Sequence, residues 1–150
     1  SKPKQVDFSK PYLLEYFLSA DSNLNDEIQI MAKNLKLKRY KLWDISEKNL
    51  FIVGPDEFLY LIEHATLICT DSYHAAVFSI IFKKPFIIYN RGNMNSRINT
   101  LLQMFELEER RSCKVTEDNI LKINFDQCEQ ILEYQRDKYE EYVQSIIADN

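Results

Sequence analysis

Short apolar runs of strand type alternate along this chain with segments of helical periodicity, and this alternation constrains the possible folds more than any other feature. The runs cover residues 12–18, 40–45, 51–53, 67–70 and 86–89. No hairpin signal joins any two of them, so successive strands must be connected by crossovers through helices. The sequence therefore predicts an α/β domain with a Rossmann-like, three-layer arrangement, in which helices cover both faces of a mostly parallel sheet.

The predicted helices rest on apolar spacing and on residues typical of helix ends. They cover residues 24–35, 55–64, 73–82, 95–105 and 125–147. Between residues 111 and 125 the pattern is weaker, and it indicates a short strand at 113–115 and a short helix capped by Thr116. No internal repeat and no low-complexity linker divides the 150 residues, so we expect one domain.

The composition excludes several classes of function. The net charge is -4 and no stretch concentrates lysine and arginine, so the sequence lacks the basic surface of a nucleic-acid binder. With only 2 glycines, the chain contains neither a P-loop nor a GxGxxG phosphate loop. A bound phosphate would therefore have to be held by side chains and helix ends.

The three cysteines, Cys69, Cys113 and Cys128, are widely separated and form no CxxC pair, which is typical of reduced thiols in a cytosolic protein. Neither histidine joins them at a zinc-binding spacing, so we predict no metal site. No apolar run approaches the length of about twenty residues that a membrane span requires. The first residues also lack the apolar core of a signal peptide.

Polar residues follow two of the predicted strands, at the edge of the sheet where ligands bind in open α/β folds. They are Asp71, Ser72 and His74 after the run ending at 70, and Asn95, Ser96 and Arg97 after the run ending at 89. His74 falls in the first turn of its helix, where backbone N–H groups and the helix dipole favour an anion. Arg97 is suited to binding a carboxylate or phosphate through two parallel hydrogen bonds.

Each of these residues also has a structural interpretation. Position alone is equally consistent with His74 as a capping-turn histidine that donates to a backbone carbonyl. Arg97 has the alternative of a solvated surface arginine. Asp71 and Ser72 stand between a strand and a helix, so we expect both to act primarily as helix caps.

The segments around these residues resemble the polysaccharide pyruvyl transferase family. They are residues 54–59, 61–65, 70–74, 78–86, 95–98 and 101–102. The combination of a TDSxH turn, an FSIIFxKPF segment and an NSR helix start, in the order and spacing of the family, is more specific than any one of them. The resemblance covers roughly residues 54–110, and Ala75 stands where the family commonly has glycine.

The resemblance implies the C-terminal half of a GT-B-like, two-domain transferase, whose N-terminal half has no counterpart in these residues. It implies that His74 binds phosphoenolpyruvate and acts as the acid, and that Arg97 binds the phosphate or carboxylate. Ser72, Ser96 and Asn95 are the further expected substrate contacts. The implied reaction transfers pyruvate to a saccharide as a cyclic ketal, in cell-surface or exopolysaccharide biosynthesis, with no additional cofactor.

The acceptor would be a saccharide or a lipid-linked saccharide, bound largely by the other half of the enzyme. We therefore expect this domain to bind phosphoenolpyruvate without turnover. The resemblance also implies a cytoplasmic location, including the inner face of the membrane.

Two other functions stay open from the residues alone. The donor-binding half of a GT-B glycosyltransferase would use the same helix ends to hold the diphosphate of a nucleotide sugar. A non-catalytic binding module would fold stably and bind no phosphorylated metabolite.

Overall fold

Four parallel strands form the sheet of this protein. The computed structural model describes residues 2–18, 23–42, 55–89 and 96–148. The strands are β1 (Tyr12–Tyr16), β2 (Lys38–Leu42), β3 (Leu67–Thr70) and β4 (Phe86–Ile88). Their order across the sheet is β2-β1-β3-β4, and every pair is parallel. The predicted α/β class with a parallel sheet is confirmed.

Helices alternate with these strands as the sequence predicted. They are α1 (Asn23–Leu35), α2 (Pro55–His64), α3 (Tyr73–Ile81), α4 (Ser96–Met104) and α5 (Asp126–Ala148). A short 3-10 helix, Glu108–Arg110, follows α4. Pro55 occupies the first position of α2, where its fixed φ and missing N–H carry no penalty.

Both faces of the sheet are covered, because side chains of a strand alternate between its two faces. Leu14 and Ile68 belong to one hydrophobic core with residues of α2, α3, α4 and α5. Leu13 and Leu67 belong to the second core, with Ile28 of α1. The helices therefore form a layer on each face, as predicted.

Strand boundaries differ from the sequence prediction at β2 and near residue 114. β2 begins at Lys38 rather than at Tyr40, because an edge strand tolerates the charged Lys38 and Arg39. Residues 113–115 form turns rather than a strand, with backbone hydrogen bonds from Lys114 and Val115 to the Arg111 carbonyl. The strand-like contact is instead a bridge between Arg111 and Ile88.

The short helix predicted after Thr116 is also a series of turns. Thr116 does not cap a helix there: its backbone N–H donates to Asn119 Oδ1 at 2.7 Å. The reason is that local side-chain hydrogen bonds of asparagine compete with helix formation. The predicted strand residues 43–45 and the apolar run at 51–53 lie outside the described residues.

The long last helix packs over only part of its predicted apolar side. Cys128 is buried and Ile131 packs against the larger core. Tyr142 and Ile146, which we expected on the same side, are 63% and 44% exposed. The second half of α5 therefore projects beyond the core. Within the described residues, no helix is both long and apolar enough to cross a membrane.

A buried arginine fastens the chain after α4 to the sheet. Arg110 is fully buried, and its guanidinium donates to the carbonyl oxygens of Phe86, Asn119 and Ile120 at 2.6–2.8 Å. Burial lowers the pKa of this guanidinium below its ordinary value. Three carbonyls that would otherwise lack partners are satisfied by one side chain, which holds β4 and the turns at 116–122 together.

We expect Arg110→Met to lower the free energy of unfolding by about 3 kcal/mol, because three buried carbonyls lose their donors. Urea denaturation of the variant and the wild type measures this difference. The matched control is Arg136→Met on the exposed side of α5, with an expected change within about 0.5 kcal/mol. Equal stability of the two variants would contradict the role given to Arg110.

Candidate functional site

The carboxyl ends of the strands form one edge of the sheet, called here the carboxyl edge. The chain leaves β1 toward β2 on one side, whereas β3 lies on the other side of β1, so the strand order reverses between β1 and β3. Such a reversal opens a crevice at the carboxyl edge, where ligands bind in open α/β sheets. The sequence indicated this edge but not the position of the crevice, because strand order is not visible in the chain pattern.

Asp71 joins the two sides of this crevice. Its Oδ1 accepts a hydrogen bond of 2.8 Å from the backbone N–H of Leu18, which follows β1. The N-cap of α3 is Ser72, one residue later. The expectation that Asp71 caps the helix is therefore corrected: its structural role is to hold the segment after β1 against the segment after β3.

Ser72 caps α3 from a buried position. Its Oγ accepts from the backbone N–H of Ala75 at 3.3 Å, and its own backbone N–H donates to Thr70 Oγ1 at 3.0 Å. Because only 2% of Ser72 is exposed, its hydroxyl is committed to the helix end. A direct contact between Ser72 and a substrate stays a prediction.

His74 projects from the first turn of α3 into solvent. Its ring contacts the edge of the Tyr73 ring, with centroids 5.7 Å apart. Within the described residues no hydrogen bond holds the imidazole, so the interpretation as a capping-turn histidine bonded to a carbonyl has no support here. Both ring nitrogens therefore face the place where an anion would approach the N-terminus of α3.

Arg97 lies in the first turn of α4 and reaches across to α3. Its guanidinium carbon is 4.6 Å from the centroid of the Tyr73 ring, a cation–π contact worth about 0.5–1 kcal/mol at an exposed site. Stacking uses the face of the guanidinium, whereas its hydrogen bonds are made in its plane. The contact orients Arg97 beside the helix end that carries His74.

Tyr73 is the residue that sequence reasoning missed. It stands between Arg97 on one helix and His74 on the other, and contacts both side chains. The available signal was an aromatic residue at the first position of a helix, directly before the candidate histidine. That signal did not distinguish a site residue from a core aromatic.

The remaining predicted contacts come from the start of α4. Ser96 is exposed, and its carbonyl accepts from Thr100 Oγ1 at 3.0 Å, which leaves its own hydroxyl at the helix N-terminus. Asn95 lies outside the described residues. Ser96 and Arg97 thus share one helix end, while His74 comes from the neighbouring one.

A groove of about 440 Å³ opens beside Arg97, between α3, α4 and α5. Its walls are mainly apolar, with Val77 from α3, Leu101 and Met104 from α4 and Leu132 from α5. Tyr73, Ser96 and Arg97 stand at the end nearest the carboxyl edge. The groove therefore has one polar end and an apolar body, as small-molecule sites commonly do.

Another charged group near the carboxyl edge is already paired. Arg39 donates from Nε and Nη2 to both carboxylate oxygens of Glu15, at 2.9 and 2.8 Å. It also donates to Gln29 and Asn25 of α1. This saturated network joins β1, β2 and α1, and offers a ligand no unpaired donor from Arg39.

Cys69 and Tyr89 lie under the site but are unsuited to proton transfer at neutral pH. Burial raises the pKa of both groups well above their ordinary values, and the Tyr89 hydroxyl faces Cys69 Sγ at 3.8 Å. Both groups stay protonated at neutral pH. Among the described residues, no cluster of three or more histidine, cysteine, aspartate or glutamate side chains offers a metal site.

Comparison with known proteins gives one family match. The family model described as polysaccharide pyruvyl transferase matches residues 1–93, more than half of the chain. The matched segment contains all four strands and the turn from Asp71 to His74, whereas Ser96 and Arg97 lie beyond its end. No curated protein matches the chain significantly.

We expect Ser72→Ala to lower the free energy of unfolding by about 1 kcal/mol, the usual cost of losing an N-cap. Thermal unfolding followed by circular dichroism measures it. Ser145→Ala removes an exposed serine hydroxyl from α5 and is the matched control, with a change within about 0.5 kcal/mol. A variant at 72 as stable as the wild type would argue against the cap.

The three thiols should differ in reactivity. Cys113 is exposed, whereas Cys69 and Cys128 are buried and burial raises the pKa of both. We expect iodoacetamide to modify Cys113 in the native protein and the other two only after unfolding, because the thiolate is the reacting form. Mass spectrometry of peptides from native and urea-treated samples tests this, and rapid native labelling of Cys69 would contradict the packing.

Proposed function

This chain belongs to the polysaccharide pyruvyl transferase family, and from that premise we propose that its site binds phosphoenolpyruvate for transfer of pyruvate to a saccharide. One observation carries the proposal: Tyr73 brackets an exposed imidazole and a guanidinium at two adjacent helix N-termini. Phosphoenolpyruvate carries a phosphate and a carboxylate. Helix N-termini and an arginine are groups that bind such oxyanions.

The proposed chemistry begins with proton transfer to the ligand. His74 donates a proton to the methylene carbon of the enol, and positive charge develops on the carbon bearing the phosphate oxygen. A saccharide hydroxyl then forms a bond to this carbon and loses its proton. A second hydroxyl forms the ketal, while the bond to phosphate breaks and phosphate leaves with the electron pair. Arg97 stabilises the negative charge on the phosphate or carboxylate.

The groove beside Arg97 bears on the acceptor. Its body is apolar and only the end near Ser96 and Arg97 is polar, so it suits an acceptor with an apolar portion better than a free sugar. This supports a lipid-linked saccharide as the acceptor. We place the enzyme accordingly in the cytoplasm, at the inner face of the membrane.

The proposal includes a second domain. The parallel sheet with strand order β2-β1-β3-β4 is compatible with a Rossmann-like half of a GT-B architecture. The remaining acceptor contacts would then come from the other half across the cleft. On this basis the 150 residues alone bind phosphoenolpyruvate and do not release phosphate.

We expect phosphoenolpyruvate to bind saturably, and Arg97→Ala and His74→Ala each to weaken binding by at least about tenfold, or about 1.4 kcal/mol. Isothermal titration calorimetry measures the affinities, with a UDP-sugar titrated in parallel. The matched control is His64→Ala, because His64 stacks on Tyr60 at the far end of α2. Binding of the UDP-sugar alone would replace this function with donor binding in a glycosyltransferase, and binding of neither ligand would favour a non-catalytic module.

A further inference from the structure

Arg111 lies at the carboxyl edge and has no part in the function proposed above. Its backbone forms a parallel bridge with Ile88, and Ser112 donates to the Ile88 carbonyl at 2.8 Å. Its Nη2 donates to Oδ1 of Asn99, in the first turn of α4, at 2.6 Å. Arg111 therefore links the end of β4 to the helix that carries Arg97.

One donor of this guanidinium has no acceptor. Nη1 of Arg111 is buried, and no hydrogen-bond partner for it exists among the described residues. A buried charged donor without an acceptor is unfavourable, because it has lost its water without gaining another partner. Native structures hold few such groups, and a bound ion or a catalytic role is a common reason for them.

The other two interior arginines show that this is not a general property of the protein. Arg39 is paired with both oxygens of Glu15, and Arg110 donates to three backbone carbonyls. Arg111 has a neutral amide oxygen as its partner in the described part of the chain. Its positive charge is therefore not compensated by a carboxylate there.

The two arginines of this region approach α4 from opposite sides. Residues 97 and 99 are two positions apart in a helix, which places their side chains about 200° apart around its axis. Arg97 points to Tyr73 on α3, whereas Asn99 points to Arg111 beside β4. Two guanidinium groups thus flank the N-terminal turn of α4.

We propose that Nη1 of Arg111 binds an oxygen of a phosphate or carboxylate, so that Arg111 is a second ligand-binding cation beside the site of Arg97. Asn99 holds Nη2 and thereby orients the guanidinium. Arg111 as a whole is partly exposed, so a ligand reaches it from solvent and a side-chain rotation turns Nη1 toward the ligand. The oxyanion class follows from the contacts of Arg111, and its identity as phosphoenolpyruvate rests on the proposed function.

The test uses two variants in the full chain. Arg111→Gln removes the charge, and Asn99→Asp places a carboxylate against Nη2 that neutralises it. Calorimetry gives the affinities for inorganic phosphate and for phosphoenolpyruvate, and thermal unfolding gives the ligand-free Tm. We expect both variants to weaken both ligands by at least about tenfold. The ligand-free Tm stays equal or rises, because an uncompensated buried charge has been removed or paired.

Arg136→Gln on the exposed side of α5 is the matched control, and both its affinities and its Tm should equal those of the wild type. Unchanged affinities in Arg111→Gln overturn the inference and leave the proposed function intact. Binding of phosphate but not phosphoenolpyruvate, with phosphate binding lost in Arg111→Gln, supports the inference and removes the proposed function. A wild type that binds neither anion, or a variant whose only defect is a lower Tm, reduces Arg111 to a tether between β4 and α4.

Discussion

The parallel pairing of β3 with both of its neighbours is the constraint on which the rest of the structure depends. All four residues of β3 are completely buried, and the strand pairs with β1 on one side and β4 on the other. A parallel strand in this position must be covered on both faces, since neither face can be left to water. The two hydrophobic cores, one under α1 and one under the other helices, meet this requirement.

The same pairing places the site. Parallel strands end at one edge, so the segments that follow β1, β3 and β4 are brought together whatever their distance in sequence. Thr70 then connects the sheet to the helix cap: its hydroxyl donates to the Tyr16 carbonyl and accepts from the Ser72 N–H. Ser72 fixes the start of α3, and Tyr73 and His74 follow in its first turn. The position of the imidazole is thus set by hydrogen bonds inside the sheet edge rather than by contacts of the histidine itself.

Charge is distributed unevenly along this edge. At the β1–β2 end, Arg39 and Glu15 neutralise each other in a saturated network with α1. At the β4–α4 end, Arg97 stacks on an aromatic ring and Arg111 meets only a neutral amide among its described partners. An acidic protein with a net charge of -4 therefore presents cationic groups where helix N-termini already favour an anion.

Local sequence was sufficient for the elements with strong patterns. β3, α2 and α3 were predicted nearly to their ends, because proline, a serine cap and continuous apolar runs act within a few residues of the boundary they set. The turns at 111–122 were mispredicted, because their conformation depends on Arg110 and Asn119, whose partners are distant carbonyls or local amide contacts. The pattern of three or four residues there could not report those bonds.

For the candidate site, the sequence by itself determined the residue types: a capped turn with a histidine, and an arginine at the next helix start. Tertiary structure decided which of them meet. Strand order put the crevice between β1 and β3, the α3–α4 contact put Tyr73 between His74 and Arg97, and the Arg111–Asn99 bond added a second cation. These are contacts between residues far apart in the chain, and their geometry is set by how the helices pack on the sheet, which no local pattern encodes.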